Sequence, residues 1–138
     1  MITMHGTFDL KDNVAGPNFA RAFSAFCAHL QSKGFLNGWQ FAERAPHAGY
    51  DRAPPASRYY VATHFPDLEF VQQCYAYVAA GEEPLKSLHK AVNSRVVRET
   101  TRFCLFREIC QGGGQSGELQ GESRHFGAPK STAKAIGV

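Results

Sequence analysis

The sequence predicts an α+β domain over residues 1–110, followed by a flexible glycine-rich segment over 111–138. Three observations carry that prediction. Four segments alternate apolar and polar residues with the period of a strand, and the stretches between them repeat at three and four like helices. Sixteen of the seventeen aromatic residues precede Gln111, so the core-forming material is concentrated there. Seven of the thirteen glycines follow Cys110, where too little apolar surface remains to offset the entropy of ordering the chain.

The first strand is expected at 2–9. Ile2, Met4, Gly6 and Phe8 share one side, and Thr3, His5, Thr7 and Asp9 the other. A helix follows over 18–32, with Phe19, Phe23, Phe26, Cys27 and Leu30 on one stripe and Gly34 as its stop. A second strand is expected at 36–44, with Trp39 and Phe41 facing away from Gly38, Gln40 and Arg44. Residues 45–57 hold three prolines and a glycine, which suits a long loop. The third strand, 58–65, sets Tyr59, Val61, Thr63 and Phe65 against Tyr60, Ala62 and His64. Pro66 and Asp67 end it and cap a helix over 67–80, which Gly81 stops. Pro84 opens a further helix at 84–98, carrying Leu85, Leu88, Val92 and Val96. The last strand is expected at 101–109, with Phe103 and Leu105 alternating with Cys104 and Phe106.

The order β-α-β-β-α-(α)-β is the split βαβ pattern of the ferredoxin-like fold: a four-stranded antiparallel sheet with helices on one face only. The strand faces Met4/Phe8, Trp39/Phe41, Val61/Phe65 and Phe103/Leu105 are expected to meet the helix stripes. The other face would carry His5, Gln40, Arg44, Tyr60, His64, Cys104 and Phe106. That mixture is too polar for a core and too aromatic for a plain solvent face. A second copy packed sheet to sheet would bury it and line a cavity with these groups.

The net charge is +3, and residues 1–110 carry twelve Lys/Arg against ten Asp/Glu. No basic stripe marks a phosphate-binding surface, so nucleic acid is not an expected partner. No run approaches the length of a membrane span. Cys27, Cys74, Cys104 and Cys110 form no C-x-x-C pair, and no secretory signal precedes the first strand, so the four read as reduced thiols of a cytoplasmic protein. The Gly112-Gly113-Gly114 run lacks the Lys-Ser/Thr of a phosphate loop and reads as a linker.

The run Tyr59-Tyr60-Val61-Ala62-Thr63-His64-Phe65-Pro66-Asp67-Leu68 resembles the strand-to-helix junction of the dimeric α/β-barrel superfamily. The runs from Leu88 to Ser94 and from Arg102 to Glu108 are similar to those of a small uncharacterised bacterial family within it. The resemblance covers roughly residues 1–110. It implies a homodimer that pairs two ferredoxin-like sheets into a barrel. The superfamily includes monooxygenases, isomerases and haem-active enzymes, and none of their catalytic motifs transfers residue by residue.

His5 and His64, on the two central strands, are the candidate acid–base groups, because imidazole titrates near neutral pH. Gln40, Arg44, Tyr60 and Phe106 are the candidate ligand-binding groups, with Arg44 offering a fixed fork of donors and Tyr60 a hydroxyl on an apolar body. A metal would need a third ligand beside the histidines; Glu43 and Glu108 are nearest by strand position, and no metal site is read. No nucleotide or flavin motif is present either, so chemistry here is expected to need no cofactor. The leading expectation is a homodimer that binds a small aromatic or polar-aromatic molecule in the sheet-face cavity, where a cofactorless monooxygenase-like or isomerase-like reaction is open to it. The alternative is a non-enzymatic dimerisation or regulatory module without a cavity ligand.

Overall fold

A computed structural model of the chain describes residues 1–51 and 57–113. It contains β1 (Ile2–Leu10), α1 (Gly16–Ser32), β2 (Gly38–Glu43), β3 (Tyr59–Phe65), α2 (Leu68–Ala80), α3 (Leu85–Asn93) and β4 (Val96–Arg107). The four strands form one antiparallel sheet in the order β2-β3-β1-β4. This is the expected ferredoxin-like α+β topology, with β1 and β3 in the centre. Most of the segment expected to be flexible, from residue 114 on, lies outside the described residues, as do residues 52–56 of the long loop.

The helices start and stop where short-range chemistry requires. Pro17 sits in the first turn of α1, where its missing N–H costs nothing. Asp67 accepts a hydrogen bond from the Phe70 N–H at 3.1 Å and so caps α2. Gly34 and Gly81 follow their helices at φ +86° and +70°, in the left-handed region that glycine enters without strain.

One face of the sheet carries the core. Ile2, Phe8 and Leu10 of β1 and Val61 and Phe65 of β3 are buried against Phe19, Phe23, Cys27 and Leu30 of α1, with Cys74, Leu85 and Val92 from the later helices. Phe19 is 1% exposed, and its ring lies 5.2 Å from Phe8, 5.7 Å from Phe23 and 4.9 Å from Phe41. Trp39 and Phe41 of β2 pack against this cluster, as expected.

Two expectations fail at β4. The helix expected over 84–98 ends at Asn93, and the strand expected at 101–109 already begins at Val96. Leu85, Leu88, Val92 and Val96 have helical spacing, but Val96 and Val97 are β-branched and pair with Leu10 and Asp9. The β1–β4 register shifts between Thr7 and Asp9, and the Asp9 N–H donates to Thr100 Oγ1 at 2.8 Å across this irregularity. The second failure concerns Phe103 and Leu105. They stand opposite Gly6 and Met4, on the helix side, but are 58% and 46% exposed. The helix layer leaves this half of the edge strand uncovered. Gly6 accommodates the Phe103 ring: a Cβ there would lie 2.5 Å from Phe103 Cε1 and 3.1 Å from Val61 Cγ2.

The chain divides into two compact units. The described residues 1–45 and 57–108 make the sheet and helices. The second unit includes the described residues 46–51 and 109–113. Within it the Asp51 carboxylate accepts from the His47 N–H at 2.9 Å, and the Gly49 N–H donates to His47 Nδ1 at 3.1 Å.

Candidate functional site on the open sheet face

The face turned away from the helices is ordered by register into three rows. Gly38, His64, Thr3 and Phe106 form the first; Gln40, Ala62, His5 and Cys104 the second; Ala42, Tyr60, Thr7 and Arg102 the third. The alternation that buries Phe8 and Val61 on one side obliges these side chains to share the other.

His5 lies at the centre of the arrangement. Its Nδ1 is hydrogen-bonded to the Tyr60 hydroxyl. Its ring is 5.6 Å from that of Tyr60 and meets Phe106 edge to face at 5.0 Å. Burial pushes the Tyr60 phenol above its ordinary value, and the nearby Cys104 adds to the effect. The phenol therefore stays protonated through neutral pH. His64 is the diagonal neighbour of His5, and its Nδ1 is 2.9 Å from Thr3 Oγ1. The two histidines thus hold different partners.

Of the residues expected in a site, His5, Tyr60 and Phe106 are brought into contact, and His64 lies one row away. Gln40 is exposed on the second row, separated from His5 by Ala62. Arg44 lies beyond the end of β2, where its Nε donates to the Ser57 carbonyl at 3.4 Å. Glu43 pairs with Arg58, and Glu108 lies 3.9 Å from the amino terminus. Among the described residues no group of three or more His, Cys, Asp or Glu is placed to hold a metal ion. Thr3 was not expected to take part, yet it fixes His64; its signal in the sequence is the two-residue alternation with His5.

Two clefts of the single chain lie elsewhere. One, of about 610 Å³, is bounded by Lys11, Asn18, Ser94 and Arg95, and the other, of about 370 Å³, by Lys11, Asn93, Val96 and Arg98. Both are open and sit near the ends of β1 and α3, away from the histidine rows.

A family model described as a family of unknown function, DUF6614, matches residues 1–118. The chain belongs to this family. No curated protein matches the DUF6614 chain. Its fold is shared by solved structures at low identity. A variant of SnoaB, a cofactor-independent oxygenase from Streptomyces nogalater, superposes with a TM-score of 0.57 at 11% identity, covering 80% of this chain and 94% of that one. A dimeric ferredoxin-like protein of unknown function from Jannaschia sp. CCS1 gives 0.57 at 6% identity, covering 78% and 98%. A variant of MhuD with two manganese protoporphyrin IX molecules per active site gives 0.54 at 20% identity, covering 83% and 100%. These matches establish the ferredoxin-like fold. Among the described residues no helix is long and apolar enough to cross a membrane.

Proposed function

We propose that this DUF6614 protein is a homodimer that pairs its open sheet faces and holds a small aromatic molecule with a polar substituent between them. The observation that carries the reading is the His5–Tyr60 hydrogen bond beside the edge of Phe106. A phenol and an imidazole joined on an otherwise small-residue floor (Ala62, Gly38, Thr3) form a polar anchor next to an aromatic wall. Tyr60 engages Nδ1, and in the tautomer in which Nδ1–H donates to the phenol oxygen, His5 Nε2 is left to accept a hydrogen bond or a proton from the ligand. The dimeric ferredoxin-like neighbour supports the assembly, and the oxygenase and the porphyrin-bound protein support small-molecule chemistry on this fold. A cofactor-free reaction with His5 as acid or base, and His64 as the second titratable group of the cavity, is the catalytic form of the proposal.

Sedimentation tests the assembly. The chain should run as a dimer, and Phe106→Asp, at a position 60% exposed in the single chain, should run as a folded monomer. A thermal-shift screen of small phenols and aryl ketones tests the ligand. A hit should lose its stabilising effect in His5→Ala and in Tyr60→Phe. A hit that stabilises both variants as well as the native chain would place the ligand elsewhere.

A further inference from the structure

We propose that Cys104 is a nucleophile on this face, adding to α,β-unsaturated carbonyl compounds that carry an aromatic ring. The proposal deepens the reading above, since it names a ligand class for the same cavity and rests on it.

The four thiols fall into two kinds. Cys27 and Cys74 are buried, and burial pushes them up to about 12 and about 11, so they remain protonated and out of reach. Cys104 and Cys110 are exposed. Only Cys104 of these two is on the sheet, and it stands directly opposite His5 in the β1–β4 register. Side chains so paired have Cβ atoms about 4.5–5.5 Å apart, which puts a thiol and an imidazole within mutual reach. His5 Nδ1 is already occupied by Tyr60, so Nε2 is the nitrogen that remains for the thiol. The Phe106 ring, set edge-on to His5, gives a flat apolar wall two residues along the same strand face.

A thiol beside a base is a soft nucleophile, and an aromatic wall selects a flat ring. In the step, His5 Nδ1–H donates to the Tyr60 oxygen, Nε2 is unprotonated, and the Cys104 thiol proton passes to Nε2. The thiolate then forms a C–S bond at the β-carbon as the C=C π pair moves toward the carbonyl oxygen. The resulting enolate takes its proton back from the imidazolium. The product contains every atom of thiol and ligand, and no oxidant or reductant is consumed.

The full-length chain is treated with limiting N-phenylmaleimide or N-ethylmaleimide, and each cysteine is quantified by peptide mass mapping. Cys104 should react about tenfold faster than Cys110, and it alone should prefer the phenyl reagent. His5→Ala should slow Cys104 at least about fivefold and leave Cys110 unchanged. Labelling of Cys27 or Cys74 would report unfolding, so each sample carries its own folding control. A chain that is dimeric and binds an aromatic ligand, but whose Cys104 reacts like Cys110, overturns this proposal and leaves the one above standing. Equal rates in a monomeric chain overturn both. A Cys104 rate that does not depend on His5 also overturns the proposal.

Discussion

The two faces of one sheet in this protein are built by different rules. The covered face is redundant. Phe8, Phe19, Phe23, Val61 and Phe65 are buried in a single cluster, with the Phe19 ring meeting those of Phe8, Phe23 and Phe41. The open face is sparse, and each of its two histidines has one specific partner: His5 with Tyr60, His64 with Thr3. Mutual apolar packing of that kind stabilises a fold, whereas singly partnered polar groups contribute little to stability and are free to act on something else. The edge strand β4 shows where the first rule stops. Phe103 and Leu105 point to the covered side but stay half exposed, because the helix layer does not extend over them.

The largest expected effect tests this division directly. Phe19→Ala removes a ring that is 1% exposed and surrounded by three others, and should cost about 3–5 kcal/mol in urea unfolding. Phe106→Ala, on the open face, should cost the single chain less than about 1 kcal/mol, because most of that ring is already in solvent. Comparable losses at the two sites would show that the open face belongs to the folding core.

A smaller effect of opposite sign is expected within the covered face. Thr63 is 5% exposed, and its Oγ1 is buried without a hydrogen-bond partner. Thr63→Val keeps the branched shape and removes the orphaned hydroxyl, so it should raise stability by about 1 kcal/mol. An unchanged or lower urea midpoint would mean that the hydroxyl is satisfied by a bound water.

Next in size is the boundary between the two regimes at Gly6. Gly6→Ala forces the Phe103 ring aside and presses on Val61, at a cost of about 1 kcal/mol, since the ring is the far end of a half-exposed side chain. In a Phe103→Ala background the same change should be neutral or favourable, because alanine loses less entropy than glycine in a strand. A double-mutant cycle measures this coupling. Additive costs would show that Val61 alone carries the strain.

Much of this was legible in the sequence. Alternation placed every strand face correctly, because a period of two is imposed by the pleat whatever the context. Asp67, Gly34 and Gly81 announced their helix ends through chemistry that acts within a few residues. What failed was the burial expected of Phe103 and Leu105, and the stretch from Asn93 to Val97. There Val96 continued a helical spacing, and the pairing with Leu10 that makes it a strand is a contact across the whole chain. The site divides in the same way. That His5, Tyr60 and Phe106 share a face follows from parity. That they touch, while Arg44 turns to Ser57, depends on register and on where β2 ends. Cys104 was visible on the same face, but its place opposite His5 needed the β1–β4 register.

The smallest expected effect concerns the helix layer. His89 of α3 stands four residues before Asn93 on one helix face, and the two are hydrogen-bonded at 3.2 Å, with the His89 ring stacked 5.2 Å from Phe26 of α1. Burial holds the imidazole below its ordinary value, so the folded chain resists a proton that the unfolded chain accepts. The resulting stability is complete above the unfolded histidine value, near pH ~6.5, and is lost as pH falls from there through the lower folded value. His89→Gln retains an acceptor for Asn93 and removes the titration. Urea midpoints of the native chain should therefore drop further between pH ~7 and pH ~5 than those of the variant. The difference should be a few tenths of a kcal/mol, because the ring is only partly buried and solvent screens it. If the two chains decline in parallel, His89 takes up its proton equally in both states, and the acid sensitivity of the fold lies in other groups.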